Sequence, residues 1–400
     1  MRSAMSEAPN QPPSGGTAER ADDLVVGHDA PREPEPGIAL CLSGGGYRAM
    51  LFHAGALWRL GEAGLLGEVA RVSSVSGGSL TAGALALAWP RLVAEGFAGE
   101  AVRRHVVDPL RRQADRTVDV RAVLAGLLLP GRTVSDRVAR GYRGLLGDAT
   151  LQDLPAEPPR FTFNATNLQS AVLFRFSRAY AWDYRVGRID APRLLLRTVV
   201  AASSAFPPLL SPATVPVTPA DFVPGSGEDL EAAAYRTNPV LSDGGVYDNL
   251  GLETAWKRYA TVLVSDGGGK TAAAPRVRRN WASQTERVLM TIDNQVRSLR
   301  KRALIASYVE RTREGAYWGV RSHIADYGLG VTLPCPDSET LALAQTPTRL
   351  RSLPAVAQKR LINWGYAICD AAIRAHVRPQ LPAPAAFPYP AAGVGPGARS

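Results

Sequence analysis

The 400-residue chain carries only three cysteines, Cys41, Cys335 and Cys369, far apart and odd in number. That excludes a disulfide framework and any Cys-x-x-Cys ligand pair, and it fits a reducing compartment, so a cytoplasmic location is expected. Histidine is nearly as scarce: the five residues His28, His53, His105, His323 and His376 show no His-Glu-x-x-His or other zinc spacing, so no metal is expected. No apolar run reaches the length of a membrane span, and the opening MRSAMSEAPNQPPSGGTAERADD lacks the hydrophobic stretch of a signal peptide. Neither a transmembrane helix nor an export signal is therefore expected. There is no Gly-x-x-x-x-Gly-Lys-Ser/Thr phosphate loop and no internal repeat,.

What is present is 46% apolar residues, enough for a substantial core, and a formal charge of +10, which favours an anionic surface or ligand as partner. Residues 1–37, rich in Pro, Ser, Gly and acid, read as a disordered tail. The Pro/Ala/Gly-rich residues 379–400 read as another. Between them lies one catalytic-sized domain, 38–378. Residues 97–155 form a helical insertion or lid. From Ala101 to Arg143 ten Arg stand against four Asp, among Val118, Val120, Val123, Leu124 and Leu127 to Leu129. That is either a solvated basic face or a surface that lies against anionic lipid headgroups.

The domain alternates strand and helix. Ile38 to Leu42 is a short apolar strand that runs into Ser43-Gly44-Gly45-Gly46, and Tyr47 to Leu60 resumes at helical spacing,. Val69 to Val75 is a second strand, and Ser76-Gly77-Gly78 leads into another helix. Phe161 to Asn167, Ala171 to Phe176 and Tyr180 to Tyr184 read as strands, the last two as a hairpin. Leu194 to Ser204 is helix-compatible and Pro212 to Glu228 irregular. Thr261 to Ser265 is a late strand. Gln284 to Arg311 is the longest helical pattern, with Val288, Ile292, Val296, Leu299 and Leu304 on one stripe; the expectation is that this stripe covers one face of the sheet. Val356 to His376 is a final helix. Aromatic interleaving of the kind a nucleic-acid surface needs is missing, so no specific nucleic-acid partner is expected.

Three features carry chemistry. Ser76 sits where a strand turns sharply into a helix and its neighbours are small, the position of an exposed nucleophile, although such a Ser can equally cap a helix. Upstream, the Gly44 to Gly46 loop offers backbone N–H groups at the end of a strand. Its Gly44-x-Gly46-x-x-Ala49 spacing also matches a degenerate dinucleotide fingerprint, but the second strand ends in Ser76 and not in the acid that a ribose requires. Downstream, Asp243 stands at a Gly-Gly turn within PVLSDGGVYDN. Nucleophile, amide donors and carboxylate are the parts of an acyl-transfer site. All three lie beside strands, in an order that lets them meet at one edge of a parallel sheet. A catalytically inactive anionic-membrane module and, further off, a nucleotide-binding oxidoreductase are the alternatives.

These blocks resemble those of the patatin-like phospholipases and lipid acyl hydrolases, in particular bacterial members between plant patatin and cytosolic phospholipase A2. Ser43-Gly44-Gly45-Gly46-Tyr47-Arg48 is similar to the family's Gly-Gly-Gly-x-Arg/Lys oxyanion block, Ser74-Val75-Ser76-Gly77-Gly78 to its nucleophile block, and Asp243-Gly244-Gly245 to its Asp-Gly-Gly/Ala block. Ala202 to Pro208, ASSAFPP, looks like the segment such proteins carry before the last block. The chain departs from the pattern at Ser74, where a Gly is usual, and at Ala49. The resemblance implies a three-layer α/β/α sandwich with a mostly parallel central sheet. It also implies a serine-dependent phospholipase or other lipid ester hydrolase without cofactor. In that reading Ser76 is the nucleophile, Asp243 its base, Gly44, Gly45, Gly46 and Gly77 the oxyanion hole, and Arg48 lies just behind. The substrate would be a phospholipid or other fatty-acyl ester, met at peripheral contact with anionic membranes. Asp266, at a second Asp-Gly-Gly, is the competing acid. A triad would need a His after its acid, which leaves only His323 and His376, neither at a strand-to-loop junction; a Ser/Asp dyad is expected.

Overall fold

The strand Glu35–Leu42 (β1) is the axis of the molecule. Its side chains alternate between two apolar clusters. Leu40 and Leu42 face one and Ala39 and Cys41 the other, as a strand covered on both sides must. A computed structural model describes residues 33–118, 134–156, 158–208, 210–271, 273–277 and 280–395.

β1 lies between Val69–Ser74 (β2) and Tyr259–Asp266 (β9), and Glu314–Gly319 (β10) pairs with β9. Together with Arg160–Asn167 (β3), which pairs with β2, these form five parallel strands in the order β10-β9-β1-β2-β3. Beyond β3 the sheet turns antiparallel through Val172–Phe176 (β4), Tyr180–Asp183 (β5) and Gly187–Asp190 (β6). Ala213–Thr214 (β7) and Val240–Asp243 (β8) form a side branch. Helices Gly46–Glu62 (α1), Gly77–Ala94 (α2), Leu196–Ser203 (α3) and Ala355–His376 (α5) contribute to the larger core on one face. The smaller cluster on the other face is closed by Leu250, Leu252, Ala255 and, from helix Trp281–Val309 (α4), Leu304. This is the expected α/β/α layering with a mixed, largely parallel central sheet.

β3 positions the site by serving as a shared ruler. β2 runs parallel to it and stops with Ser74 opposite Phe163. β8 arrives from the other direction and stops with Asp243 opposite Ala165, two residues further on. The two strand ends therefore meet head to head against one strand, which brings the Ser76 turn and the Asp243 turn together.

Several expectations need correction. Residues 1–32 of the first tail lie outside the described residues, but Glu35 to Gly37 already belong to β1. Residues 379–395, expected to be disordered, are irregular in conformation but docked against the body. Asn363 in α5 accepts from the Tyr389 amide at 3.0 Å and donates to the carbonyls of Tyr389 at 2.9 Å and Gly393 at 2.7 Å. The Tyr389 ring stands edge-on to Trp58, and Val394 is buried. A few apolar anchors suffice to dock a Pro-rich segment that has little chain entropy to lose. In the Arg-rich insertion, 119–133 lie outside the described residues. The helical pieces Gly99–Val102, Arg103–Val107 and Asp108–Ala114 bury Val102, Val106, Val107 and Leu110 in the main core. Arg103 pairs with Glu100 and Asp108, and Arg104 with Glu95. Finally, α4 does not cover the sheet along its length. Leu304 is buried, whereas Val288, Ile292 and Leu299 are all at least half exposed. Among the described residues no helix is long and apolar enough to cross a membrane.

Candidate active site

Ser76 occupies the tip of the turn between β2 and α2 with φ 53° and ψ −117°, a conformation a non-glycine residue adopts only when its surroundings impose it,. The cause is close packing. A Cβ on Gly77 would lie 2.2 Å from the carbonyl oxygen of Gly46, so the turn that carries Ser76 and the glycine loop after β1 touch backbone to backbone,. Gly44 stands directly beside the serine, since a Cβ there would come within 3.3 Å of Ser76 Cβ and 2.3 Å of Asn249 Oδ1.

Buried hydroxyls pin the turn. The Ser76 amide donates to Ser203 Oγ at 3.0 Å, and Ser203 Oγ in turn donates to the Asn164 carbonyl at 2.7 Å. Ser74, where a glycine is usual, donates to the Thr162 carbonyl at 3.2 Å. Ser79 lies 3.1 Å from Ser74 Oγ and 2.8 Å from Ser203 Oγ, so its single proton serves one of the two,. The extra hydroxyl of Ser74 is thus absorbed into a network and does not disturb the turn. Ser203 and Asn164 are missing from the sequence reading. ASSAFPP marked the segment that holds Ser203, but a lone serine hydroxyl gives no sign of which distant amide it will accept.

The amides of Gly45, Gly46 and Gly77 have no acceptor among the described residues, and they cluster where α1 and α2 begin. Gly44 differs from expectation. Its amide donates to the Asn249 carbonyl at 3.0 Å, so it ties the loop to the Asp243 turn and is not free to bind a developing anion. Behind the loop, Ser43 Oγ accepts from the Gly267 amide at 2.8 Å. The carbonyl of Ser43 lies 2.9 Å from His53 Nε2, while His53 Nδ1 lies 2.7 Å from Ser265 Oγ. A carbonyl can only accept, so Nε2 bears the proton and Nδ1 accepts from Ser265. Burial pushes the His53 pKa down to about 4, which keeps the ring neutral,. Arg48 is buried and turned away from the serine. It donates to the Gly267 carbonyl at 3.0 Å, to Thr348 Oγ1 at 2.8 Å and to the Thr346 carbonyl, clamping the loop that follows Asp266. Burial lowers its pKa to about 10, so it remains a cation at neutral pH.

Asp243 ends β8 and is almost wholly buried. Its Oδ1 accepts the Gly245 amide at 2.7 Å, while Oδ2 is buried with no well-formed hydrogen bond. Burial raises its pKa to about 7, against the Gly245 amide and the nearby Ser76 hydroxyl, which both favour the ionised form,. Asp266 is in a different condition. Its two oxygens accept from the Gly268 amide and the Tyr317 hydroxyl, each at 2.8 Å. Burial works to raise its pKa, but Arg297, Tyr317 and Gly268 overcome this and hold it below the ordinary carboxylate value. Of the other histidines described, His105 meets Glu95, His323 meets Asp337 and His376 stacks near Tyr327. None is hydrogen-bonded to Ser76 or Asp243. A cleft of about 1250 Å³ lies at the opposite edge of the sheet, near Gly37, Glu314 and His376, and none of the site residues lines it.

The sequence pattern of a family described as Patatin-like phospholipase matches residues 40–256, more than half of the chain. The chain belongs to the patatin-like phospholipase family. Membership supports a lipid-acting hydrolase activity in general. Among solved structures, the chain is similar to human GIVD cytosolic phospholipase A2 in complex with methyl gamma-linolenyl fluorophosphonate, at 14% identity and a TM-score of 0.48, covering 88% of this chain and 60% of that one. A second structure of the human enzyme gives 15% identity and a TM-score of 0.35, over 68% of this chain and 49% of that one. VipD from Legionella pneumophila gives 15% and 0.33, over 87% and 73%. The chain thus spans about half to three fifths of the length of the phospholipase A2 chains it matches. No curated protein matches it.

Proposed function

We propose that this protein is a serine-dependent lipid acyl hydrolase that works through a Ser76/Asp243 dyad on phospholipids or related fatty-acyl esters. The observation that carries the reading is the pairing of a serine held at φ 53° with a buried carboxylate whose Oδ2 has no well-formed hydrogen bond. Three unused amides, those of Gly45, Gly46 and Gly77, stand around the same turn. Ser76 Oγ attacks the ester carbonyl carbon and gives its proton to Asp243. The carbonyl oxygen takes the negative charge and receives the three amides. Collapse breaks the ester bond, and the proton on Asp243 leaves with the alcohol. Water then attacks the acyl-serine, giving one proton to Asp243. The fatty acid departs and that proton returns to Ser76.

Asp243 must be ionised to start, and a pKa of about 7 makes it a base matched to neutral pH,. Asp266 lacks such a role in this scheme, because both its oxygens are already engaged. Arg48 acts as a clamp on the loops, not as a donor to substrate. A fluorophosphonate should label wild-type protein once, with the adduct on Ser76. Ser76→Ala should abolish labelling and lower turnover of a lipid ester by several orders of magnitude while the fold persists. Stoichiometric labelling of Ser76→Ala would overturn the assignment.

A further inference from the structure

We propose that Asn249 is a third catalytic residue, whose side-chain oxygen holds the water that releases the acyl chain from Ser76. The proposal rests on the Ser76/Asp243 hydrolase reading above and deepens it at the one step for which that scheme names no group, the placing of the water.

Asn249 follows the short helical turn Gly245–Asp248 that comes directly after the acid. Its main chain is fixed from both sides. Asp248 is buried, and its carboxylate accepts the Leu250 amide at 3.2 Å and the Glu253 amide at 2.7 Å, with Arg300 of α4 at 3.7 Å. Leu250 is fully buried, and the Asn249 carbonyl accepts the Gly44 amide at 3.0 Å. The turn is therefore tied to the glycine loop by backbone groups that any residue at 249 could supply. The carboxamide is not needed for that tie.

The carboxamide is wedged between two glycines, and each glycine borders one member of the dyad. A Cβ on Gly44 would lie 2.3 Å from Asn249 Oδ1 and 3.3 Å from Ser76 Cβ. A Cβ on Gly245 would lie 2.7 Å from Asn249 Oδ1 and 3.0 Å from Asp243 Oδ1. Both positions have to lack a side chain for Oδ1 to stand where it does. The breadth of one missing methyl group separates Oδ1 from the serine on one side and from the acid on the other. Half-buried, the carboxamide makes no hydrogen bond among the described residues. It has two protons to donate and two lone pairs to offer, and leaving all of them unused beside a nucleophile calls for a molecule that comes and goes.

The side of the serine decides which molecule. Gly45, Gly46 and Gly77, whose amides receive the carbonyl oxygen in this scheme, have Gly267, Arg48, Ala49, Arg349 and one another as nearest neighbours, and not Asn249. Asn249 lies on the acid's side, where the alcohol leaves with the proton of Asp243 and where water has to enter. In deacylation one O–H of the water gives its proton to Asp243 while the other donates to Asn249 Oδ1, which turns a lone pair toward the acyl carbon. The water oxygen bonds to that carbon, Ser76 Oγ leaves and takes the proton from Asp243, and the second proton stays on the acid product.

The test is Asn249→Ala in the full chain, assayed on a p-nitrophenyl ester, whose phenolate leaves without a proton and so reports acylation apart from turnover. Rates are counted per serine that a fluorophosphonate titrates, so misfolded protein does not enter. Steady-state kcat should fall by roughly a hundredfold, the scale of a lost positioning contact. The ratio of the pre-steady-state burst rate to the steady rate should rise by a similar factor, with KM falling alongside kcat as acyl-enzyme accumulates. Asn249→Asp keeps the shape and restores an oxygen acceptor. It should recover part of the lost turnover, with the activity limb displaced to higher pH, because a second carboxylate this close opposes ionisation of Asp243; the charge of Asp293 on α4 already acts in that sense. Wild-type kcat per titrated serine in Asn249→Ala overturns the proposal and leaves the hydrolase reading standing. A loss in which burst and steady rates fall together, as for a displaced turn, overturns it too, and so does an Asn249→Asp limb at the wild-type pH. If wild type takes up the fluorophosphonate but releases product from no ester, the hydrolase reading fails and the role of Asn249 falls with it.

Discussion

The backbone amide of Ser76 donates to Ser203 Oγ at 3.0 Å, across 127 positions of sequence, and the same oxygen donates to the Asn164 carbonyl at 2.7 Å. The strained turn is therefore held by the end of α3 and by β3, not by its own local sequence. Ser203→Ala removes the acceptor and leaves the Ser76 amide unpaired in the interior. The expected cost is about 1 to 3 kcal/mol of stability, the penalty for an orphaned buried donor. Fluorophosphonate labelling of the folded variant should slow as well, because the serine is no longer fixed in its elbow. Urea denaturation and labelling kinetics check the two effects separately.

Asp243 has a pKa raised to about 7 by burial, so activity should climb with pH along a single limb centred near there. The same shift has a stability consequence of opposite sign. The folded pKa lies above the unfolded value of about 3.9, so the favourable contribution is complete below that value and is lost as pH rises through about 7. Asp243→Asn should eliminate most turnover and yet raise the melting temperature at pH 8, an advantage that should shrink as the pH is lowered. Calorimetry of both proteins across this range tests the sign.

The two Asp-Gly-Gly turns separate by the same logic. Asp266 accepts from Tyr317 and Gly268 and faces Arg297, so Asp266→Asn breaks a satisfied network. It should lower the melting temperature and retain most soluble-ester turnover, the reverse of Asp243→Asn. His323→Ala and His376→Ala should retain turnover as well, since neither ring is hydrogen-bonded to the dyad. A loss of activity in either His variant that matches Ser76→Ala, with the fold intact, would remove the dyad from consideration.

The strands and helices that carry the site are legible because their signals are local. IALCL, VARVSS and TVLVS are short apolar or β-branched runs, and the glycine turns at Gly44, Ser76 and Asp266 follow them, while Asp243 ends the shorter run VLSD,. The long α4 pattern is legible as a helix, and its start at Trp281 follows from Asn280, whose side chain accepts the Ser283 amide at 2.9 Å,. What periodicity cannot supply is the partner of an apolar stripe. Val288, Ile292 and Leu299 have the spacing of a core face and are exposed, because they lie on the side of the helix away from Leu304, which is the side that meets the body,. Gly44 shows the same limit at the site. Its place in a glycine loop marks it as a donor, but which acceptor takes its amide depends on Asn249, two hundred residues away.

His53 lies inside α1, and it holds the glycine loop after β1 from behind. Nε2–H donates to the Ser43 carbonyl at 2.9 Å and Nδ1 accepts from Ser265 at 2.7 Å, which links the ends of β1 and β9 immediately before the two glycine turns. His53→Leu leaves the Ser265 hydroxyl without this partner and the Ser43 carbonyl with the Gly78 amide alone, and it loosens the loop that presents Gly45 and Gly46. The expected loss in kcat is roughly ten- to hundredfold, less than for deleting a donor outright, with KM nearly constant because the ring does not touch substrate. A variant that lost stability alone would show unchanged kcat per labelled serine at low temperature, and that result would reduce His53 to a packing residue. The pH dependence gives an independent reading. The folded pKa of about 4 lies below the unfolded value of about 6.5, so the neutral ring contributes its stability in full above about 6.5 and loses it as the pH falls toward 4,. The wild-type melting temperature should drop across that window more steeply than that of His53→Leu, and parallel profiles would exclude the neutral, doubly bonded ring assigned here.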